Sequence, residues 1–186
     1  MEEANKLLLP YRSEALIKIV SRMLIDSLLD PIFIVTGYEH DKVVKILPKS
    51  LDKIIYNKDW RKGMSISIYK AISSLPANID GNMIVLGDMP LIKVKTINKL
   101  RAAFLNNNGE KIIYAEYFGK QANPVIFPKK YFKEMLLLKG DNGCKDIISQ
   151  NKKNALGVSV DSSEVIFDCD TKSDYFDLVS KISINV

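Results

Sequence analysis

Two unbroken apolar runs, Ile32-Phe33-Ile34-Val35 and Met83-Ile84-Val85-Leu86, do most to restrict what this chain can fold into. Each ends on a small polar turn, Thr36-Gly37 in one case and Gly87-Asp88-Met89-Pro90 in the other. A short run without polar alternation suits a strand covered on both faces, and such strands belong to largely parallel sheets flanked by helices. The intervening segments carry the helical period. Ser13 is placed to cap a helix over residues 13–29, with Leu16, Ile17, Val20, Met23, Leu24 and Leu28 on one face and Asp30-Pro31 as its stop. Further helices are expected over 40–47, before Pro48, and over 64–75, opened by Gly63 and stopped by Pro76. Residues 53–56 read as a strand, 95–105 as a helix and 106–109 as a turn. Strands at 112–117 and 125–127, joined through 118–124, precede helices at 129–138 and 143–149. Strands at 157–160 and 164–167 and a helix over 171–182 complete the pattern. The expectation is one α/β domain over residues 1–186, a mostly parallel sheet with helices on both faces.

Composition narrows the class. The 186 residues are 47% hydrophobic and 26% charged, which suits one globular domain and excludes a disordered or fibrous chain. The formal charge of +5 suits an anionic partner such as a nucleotide, but is too small and scattered for a nucleic-acid binder. Cys144 and Cys169 make no disulfide framework, so a reducing compartment is expected. The apolar runs fall far short of the ~20 residues of a membrane span. The acidic start Met1-Glu2-Glu3-Ala4-Asn5 is not a signal peptide. A cytoplasmic protein with neither membrane nor nucleic acid as partner is expected.

Ligands in open α/β sheets bind beyond the carboxyl ends of the strands. Three polar clusters fall there. Asp88, directly after an apolar run, is a hard-oxygen ligand for Mg²⁺ or else the cap of a turn. Asp168-Cys169-Asp170-Thr171 supplies two acids that point the same way if the segment is extended. One of them could join Asp88, or the segment is only an N-cap. Gly63-Met64-Ser65-Ile66-Ser67, with Arg61 and Lys62 beside it, is an anion site at a helix N-terminus or an ordinary capped helix. His40 is the sole histidine, so Ser–His or Cys–His machinery is not expected; it should lie on an exposed helix start. Both cysteines read as packing residues, and Lys6 as a surface lysine or a phosphate contact.

In order along the chain, these segments resemble the nucleotidyltransferases of the molybdenum cofactor cytidylyltransferase type. That group sits within the larger molybdopterin-guanine dinucleotide biosynthesis protein A-like family, which includes the guanylyltransferase of the same pathway. Asn5-Lys6-Leu7-Leu8-Leu9-Pro10 is similar to the family's NKLLLP, Val35-Thr36-Gly37-Tyr38-Glu39 to VTGHE, and Leu86-Gly87-Asp88-Met89-Pro90 to LGDMP. Asn57-Lys58-Asp59-Trp60 with Gly63-Met64-Ser65-Ile66-Ser67 resembles NPxW…GMSxS. Gln121-Ala122-Asn123-Pro124-Val125 is similar to GNPV, Gly140-Asp141-Asn142-Gly143-Cys144-Lys145 to GDxGAR, and Asp168-Cys169-Asp170-Thr171 to D-x-DTP.

The resemblance implies a Rossmann-like fold of the nucleotide-diphospho-sugar transferase type. It also implies transfer of CMP from CTP to the terminal phosphate of molybdenum-bearing molybdopterin, with release of pyrophosphate. Lys6, Asp88 and Asp170 would be catalytic, with Asp88 and Asp170 holding Mg²⁺. Thr36, Gly37, Gly63 and Gly87, with Lys6 and Asp88, would bind the nucleotide. Met64, Ser65, Ser67, Pro90, Asn123, Pro124 and Asp141 would form the acceptor side. CTP or another nucleoside triphosphate, a molybdopterin-type acceptor and a recipient molybdoenzyme are the implied partners.

The sequence departs from the family pattern in places. The family's opening strand and loop, LAAGxSxRMG, are absent, and Met1 falls where the methionine of RMG would lie. Loss of a central strand would leave two long unpaired edges, so an upstream start codon is expected. Ala122 replaces a glycine, Lys145 an arginine, and Lys172-Ser173 stand for Pro-Glu, whereas Asp174 is kept. The other readings are a non-catalytic molybdopterin-binding or chaperone protein that keeps only the acceptor half, and a related nucleotidyltransferase with another base or acceptor.

Overall fold

The structure, a computed structural model, describes residues 5–141 and 143–180; Met1 and Ile182 lie outside them. Near the start, strands β1 (Pro10–Tyr11) and β2 (Glu14–Ala15) pair antiparallel around Arg12 and Ser13, both at positive φ. Ser13 is therefore spent on a hairpin turn and caps nothing. Helix α1 (Leu16–Ile25) starts at Ala15 without a side-chain cap and ends four residues earlier than expected, where Asp26 and Ser27 bond back to Arg22 and Leu24. Burial of its Leu16, Ile17, Val20 and Met23 stripe holds it in place of a cap.

The first apolar run forms β3 (Phe33–Thr36), followed by α2 (His40–Ile46) and β4 (Lys53–Tyr56). β3 and β4 are parallel, Phe33 opposite Lys53 and Thr36 opposite Tyr56. Helix α3 (Met64–Ser73) starts directly after Gly63. The second apolar run is displaced: the paired strand is β5 (Gly81–Ile84), because its one ladder, to the antiparallel β7 (Lys120–Pro128), runs from Gly81 opposite Pro128 to Ile84 opposite Val125. Val85 and Leu86 continue beyond it towards Asp88.

After α4 (Val94–Asn106), strand β6 (Ile112–Tyr117) turns tightly at Phe118-Gly119 into β7, which thus begins five residues before the expected 125. Phe118 and Gly119 both take positive φ, the conformation such a turn requires. The ladder slips between Tyr114 and Ala115, leaving Asn123-Pro124 as a bulge just past the end of β5. Strand β8 (Ala155–Ser159) pairs parallel with β6, so the second sheet has the order β5-β7-β6-β8. The α/β architecture stands, and β7 is its antiparallel member.

Three late segments differ from expectation. Residues 129–138 form a 3-10 turn and a short helix, α5 (Phe132–Met135), because Lys129 is tied through its N–H to Asp80 and through Nζ to Ala77. Helix α6 (Lys145–Gln150) starts late, since Gly143 sits at φ 58°. The strand expected at 164–167 is a 3-10 turn, Ser163–Val165: buried Glu164 takes a hydrogen bond from Thr96 Oγ1 at 2.5 Å and an ion pair from Lys93 at 3.2 Å, which bind the segment to α4 rather than to a ladder. Helix α7 (Lys172–Ser180) follows.

Side chains from α3, α5 and α6 (Ile68, Ile72, Met135, Ile147) pack on one face of the larger sheet, and Leu100 and Phe104 of α4 on the other. α1 bridges to β3 and α2 through Ile17, Ile34, Val43 and Leu47. Between β3 and β5 lies a cavity of about 340 Å³ lined by both strands, α1 and α3. No helix among the described residues is long and apolar enough to cross a membrane.

Candidate active site

Three distant parts of the chain meet past the carboxyl end of β5. Asn5 caps the 3-10 turn Lys6–Leu8, its Oδ1 accepting from Leu7 N–H at 3.1 Å, and its Nδ2 donates to the Tyr38 carbonyl at 3.0 Å. This anchoring aims Lys6, whose Nζ donates to Asp88 Oδ2 at 2.5 Å and also to Asp170 Oδ1. Gly87 packs closely against α1 and Leu7: a Cβ there would lie 2.8 Å from Ile17 Cδ1 and 3.3 Å from Leu7 Cδ2. The late segment is tied in by Cys169 N–H, which donates to the Asp88 carbonyl at 3.0 Å. Thr171 and Asp174 form a capping box: Asp174 Oδ2 accepts from Thr171 N–H at 2.6 Å, and Asp174 N–H donates back to Thr171 Oγ1 at 3.1 Å.

Burial pulls the Lys6 ammonium down, but hydrogen bonds and charge from Asp170 and Asp88 outweigh it and hold it above its ordinary value. Asp168 is not part of a strand, so the period-two argument linking it to Asp170 fails; it is Asp170 that reaches Lys6. Burial, and then the charges of Asp170 and Asp88, push the Asp168 carboxyl upward. Asp88 Oδ1 is buried and has no hydrogen-bond partner.

That orphaned oxygen bears on the expected metal. Two carboxylates already converge on one cationic group, and a further lone pair on Asp88 is unspent. Among the described residues no three His, Cys, Asp or Glu side chains gather as a metal cage. Mg²⁺, however, commonly takes only one or two carboxylates and completes its shell with phosphate oxygens and water. The donor set fits it.

A second cluster sits at the start of α3. Gly63 has φ 105° and no room for a Cβ, with Asp141 Oδ1 and the Gly140 carbonyl each 2.8 Å from where one would be. Met64 N–H donates to Asp141 Oδ1 at 2.8 Å and Ser65 N–H to the Gly140 carbonyl at 3.0 Å. The helix start is therefore an anion site whose anion, here, is a carboxylate of the same chain. Ser65 Oγ is buried without a partner, and Ser67 Oγ accepts from the fully buried Asn57 at 3.0 Å.

The other expected residues are distributed around these clusters. Pro90 is buried behind Asp88, and Asn123-Pro124 is the β7 bulge. Gly37 packs under Trp60. The Thr36 hydroxyl is turned to His40 Nδ1 at 2.6 Å, and His40, half-buried rather than exposed, stacks on Tyr56 at 4.1 Å between centroids. Both cysteines are buried, and burial pushes the Cys144 thiol up to about 12, which suits packing. The sequence reading missed the anchoring role of Asn5; its signals were a capping residue type directly before Lys6-Leu7-Leu8 and its place in the NKLLLP resemblance.

Fold and site together define an α/β domain whose Lys6 bridges two carboxylates past the carboxyl end of a sheet strand. Residues 1–155 match the MobA-like NTP transferase domain, and the chain belongs to that family. It is similar to the purine catabolism protein PucB of Bacillus subtilis (strain 168), 26% identical over 182 residues that span 92% of this chain and 86% of PucB. Among solved structures it is similar in fold to the manganese complex of Rv0371c from Mycobacterium tuberculosis H37Rv, with a TM-score of 0.85, 21% identity and coverage of 96% of this chain and 93% of the other. A nucleotidyl transferase from Methanothermobacter thermautotroptrophicus gives a TM-score of 0.81 at 16% identity, covering 98% and 87%.

Proposed function

We propose that this nucleotidyltransferase is a Mg²⁺-dependent cytidylyltransferase that joins CMP from CTP to the terminal phosphate of a molybdopterin-type acceptor, in the cytoplasm. A phosphate oxygen of the acceptor bonds to the α-phosphorus of CTP. The bond from that phosphorus to the bridging oxygen breaks, and pyrophosphate leaves with the electron pair. The attacking phosphate is already ionised at neutral pH, so no general base is needed, in keeping with a centre built from one lysine and acids. Such transfers depend on positioning and charge neutralisation.

Asp88 and Asp170 would hold the Mg²⁺, which, when bound, neutralises phosphate charge. Lys6 has three N–H donors, two of them engaged by Asp88 and Asp170. The third remains for a phosphate oxygen. Gly63, Met64 and Ser65 would orient the acceptor, with Asp141 giving way to its anionic group.

The observation that carries this reading is the bridging of Asp88 and Asp170 by Lys6 beside the orphaned Asp88 Oδ1. Its test is pyrophosphate release from a panel of nucleoside triphosphates with Mg²⁺ and molybdopterin. CTP should be preferred, EDTA should abolish turnover, and Asp88→Asn should lower it ~10²- to 10³-fold. An unchanged rate in Asp88→Asn would remove the metal assignment, and acceptor binding without turnover of any nucleotide would favour a non-catalytic binding protein.

A further inference from the structure

β8 ends the larger sheet on one side: it pairs with β6, and among the described residues no strand lies along its other edge. Just past its end, Val160 N–H donates inward to the Glu116 carbonyl at 2.8 Å. Backbone direction alternates along a strand, so Leu156 and Val158 also bond inward, while Ala155, Gly157 and Ser159 turn their N–H and C=O groups outward. One outward group is already held, the Ser159 carbonyl by Lys99 Nζ at 2.7 Å. The middle of the edge carries no side chain, because Gly157 lies against Glu116 and Tyr114 with no room for a Cβ. Leu156, opposite Ile113 and so on the α4 face, is 36% exposed.

This edge is complementary to itself. Set antiparallel against a second copy with Gly157 facing Gly157, its outward groups meet in hydrogen-bonded pairs, Ala155 with Ser159 at each end and the two glycines in the middle. The closer positions between those pairs put the exposed Leu156 of each copy against Val158 of the other. Lys153 lies two residues before the strand and Asp161 two after it, so the same register brings each lysine alongside the other copy's aspartate. Both side chains are exposed, and neither is engaged within its own chain. The neighbouring registers lose that match: centred on Leu156, Lys153 faces Ser159, and centred on Val158, Asp161 faces Ala155. We propose that β8 is the contact edge of a two-fold dimer of this chain, in which two four-stranded sheets join edge to edge. On pairing, Ala155 N–H of the second copy takes the Ser159 carbonyl from Lys99.

A lone strand pair buries less than the ~1,200–2,000 Å² of a standard interface, so the association should be weak and concentration-dependent. The test is sedimentation equilibrium of the full chain over a range of protein concentration, with amide exchange alongside. A monomer–dimer equilibrium should appear. The outward amides of Ala155, Gly157 and Ser159 should gain ~5-fold or more protection as concentration rises, and the inward amides of Leu156 and Val158 far less. Ser159→Pro removes only an outward N–H and should give a folded monomer. Lys153→Asp and Asp161→Lys each set like charges together at both ends and should weaken dimerisation ~10-fold. An equimolar mixture of these two variants pairs opposite charges at both ends and should associate as tightly as the wild type. That mixture decides the matter if Ser159→Pro does not fold. A chain that stays monomeric throughout, a dimer that protects other amides, or a mixture no tighter than either variant alone would each overturn the proposal. No nucleotide enters the measurement, so its outcome is separate from that of the nucleotidyl-transfer test.

Discussion

Lys6 shares one ammonium between two acids, so its loss has an electrostatic signature that loss of packing does not. A raised ammonium pKa means that the ion pairs support the fold fully below its ordinary value of 10.5, and cease to do so as the pH climbs through the raised value. The melting temperature of Lys6→Met should thus lie below that of the wild type at neutral pH, with the gap closing under strongly alkaline conditions. A pH-independent gap would assign the loss to the alkyl stem. Asp168 has the opposite sense. Its carboxyl is raised by burial and by neighbouring acids, so its ionised form weighs against the folded state above the ordinary carboxylate range. Asp168→Asn should raise the melting temperature at neutral pH and leave it unchanged in acid, as a thermal scan across pH would reveal.

At the scale of elements, the site depends on two helix starts of different construction. Thr171 and Asp174 close the first turn of α7 reciprocally and so hold Asp170 at the end of a fixed segment. Thr171→Ala should lower the melting temperature by roughly 2–4 °C and should cost activity as Asp170 loosens from Lys6, which pyrophosphate release would register. At α3 the start depends on a glycine. Gly63→Ala meets both an unfavourable φ and a collision with the Gly140 carbonyl, at a cost of roughly 1–3 kcal/mol measurable by denaturant unfolding. These starts also show what the sequence could convey. Gly63 before a serine-containing apolar period announced α3, and unbroken apolar runs announced β3 and the neighbourhood of β5, because their cause is local. Ser13 misled, since a cap and a hairpin turn use the same residue type and only the pairing of Pro10 with Ala15 separates them. The antiparallel sense of β7 and the turn at Glu164 were not legible, because a ladder partner and a buried acid's donor lie far along the chain. The acids of the site were legible as types at strand ends; that Asp170 rather than Asp168 reaches Lys6 was not.

Across the whole molecule the two sheets differ in support. The four-stranded sheet has apolar clusters on both faces, whereas β3–β4 shares one smaller cluster with Ile17 of α1 and Val43 of α2. Amides of β3 and β4 should exchange at lower opening free energy than those of β6 and β7, so the ladder joining β6 to β7 should be the last to open in native-state exchange. Lys6 and Asp170 stand 164 residues apart in sequence, and Tyr175 adds a second tie by donating to the Pro10 carbonyl at 2.7 Å. This juxtaposition sets a clock on synthesis. Every strand of both sheets precedes Asp170 in the chain and so leaves the ribosome before it, and in that interval the second carboxylate beside Lys6 is missing. The centre can close only once Asp170 has emerged, so any shorter nascent chain holds Lys6 against Asp88 alone.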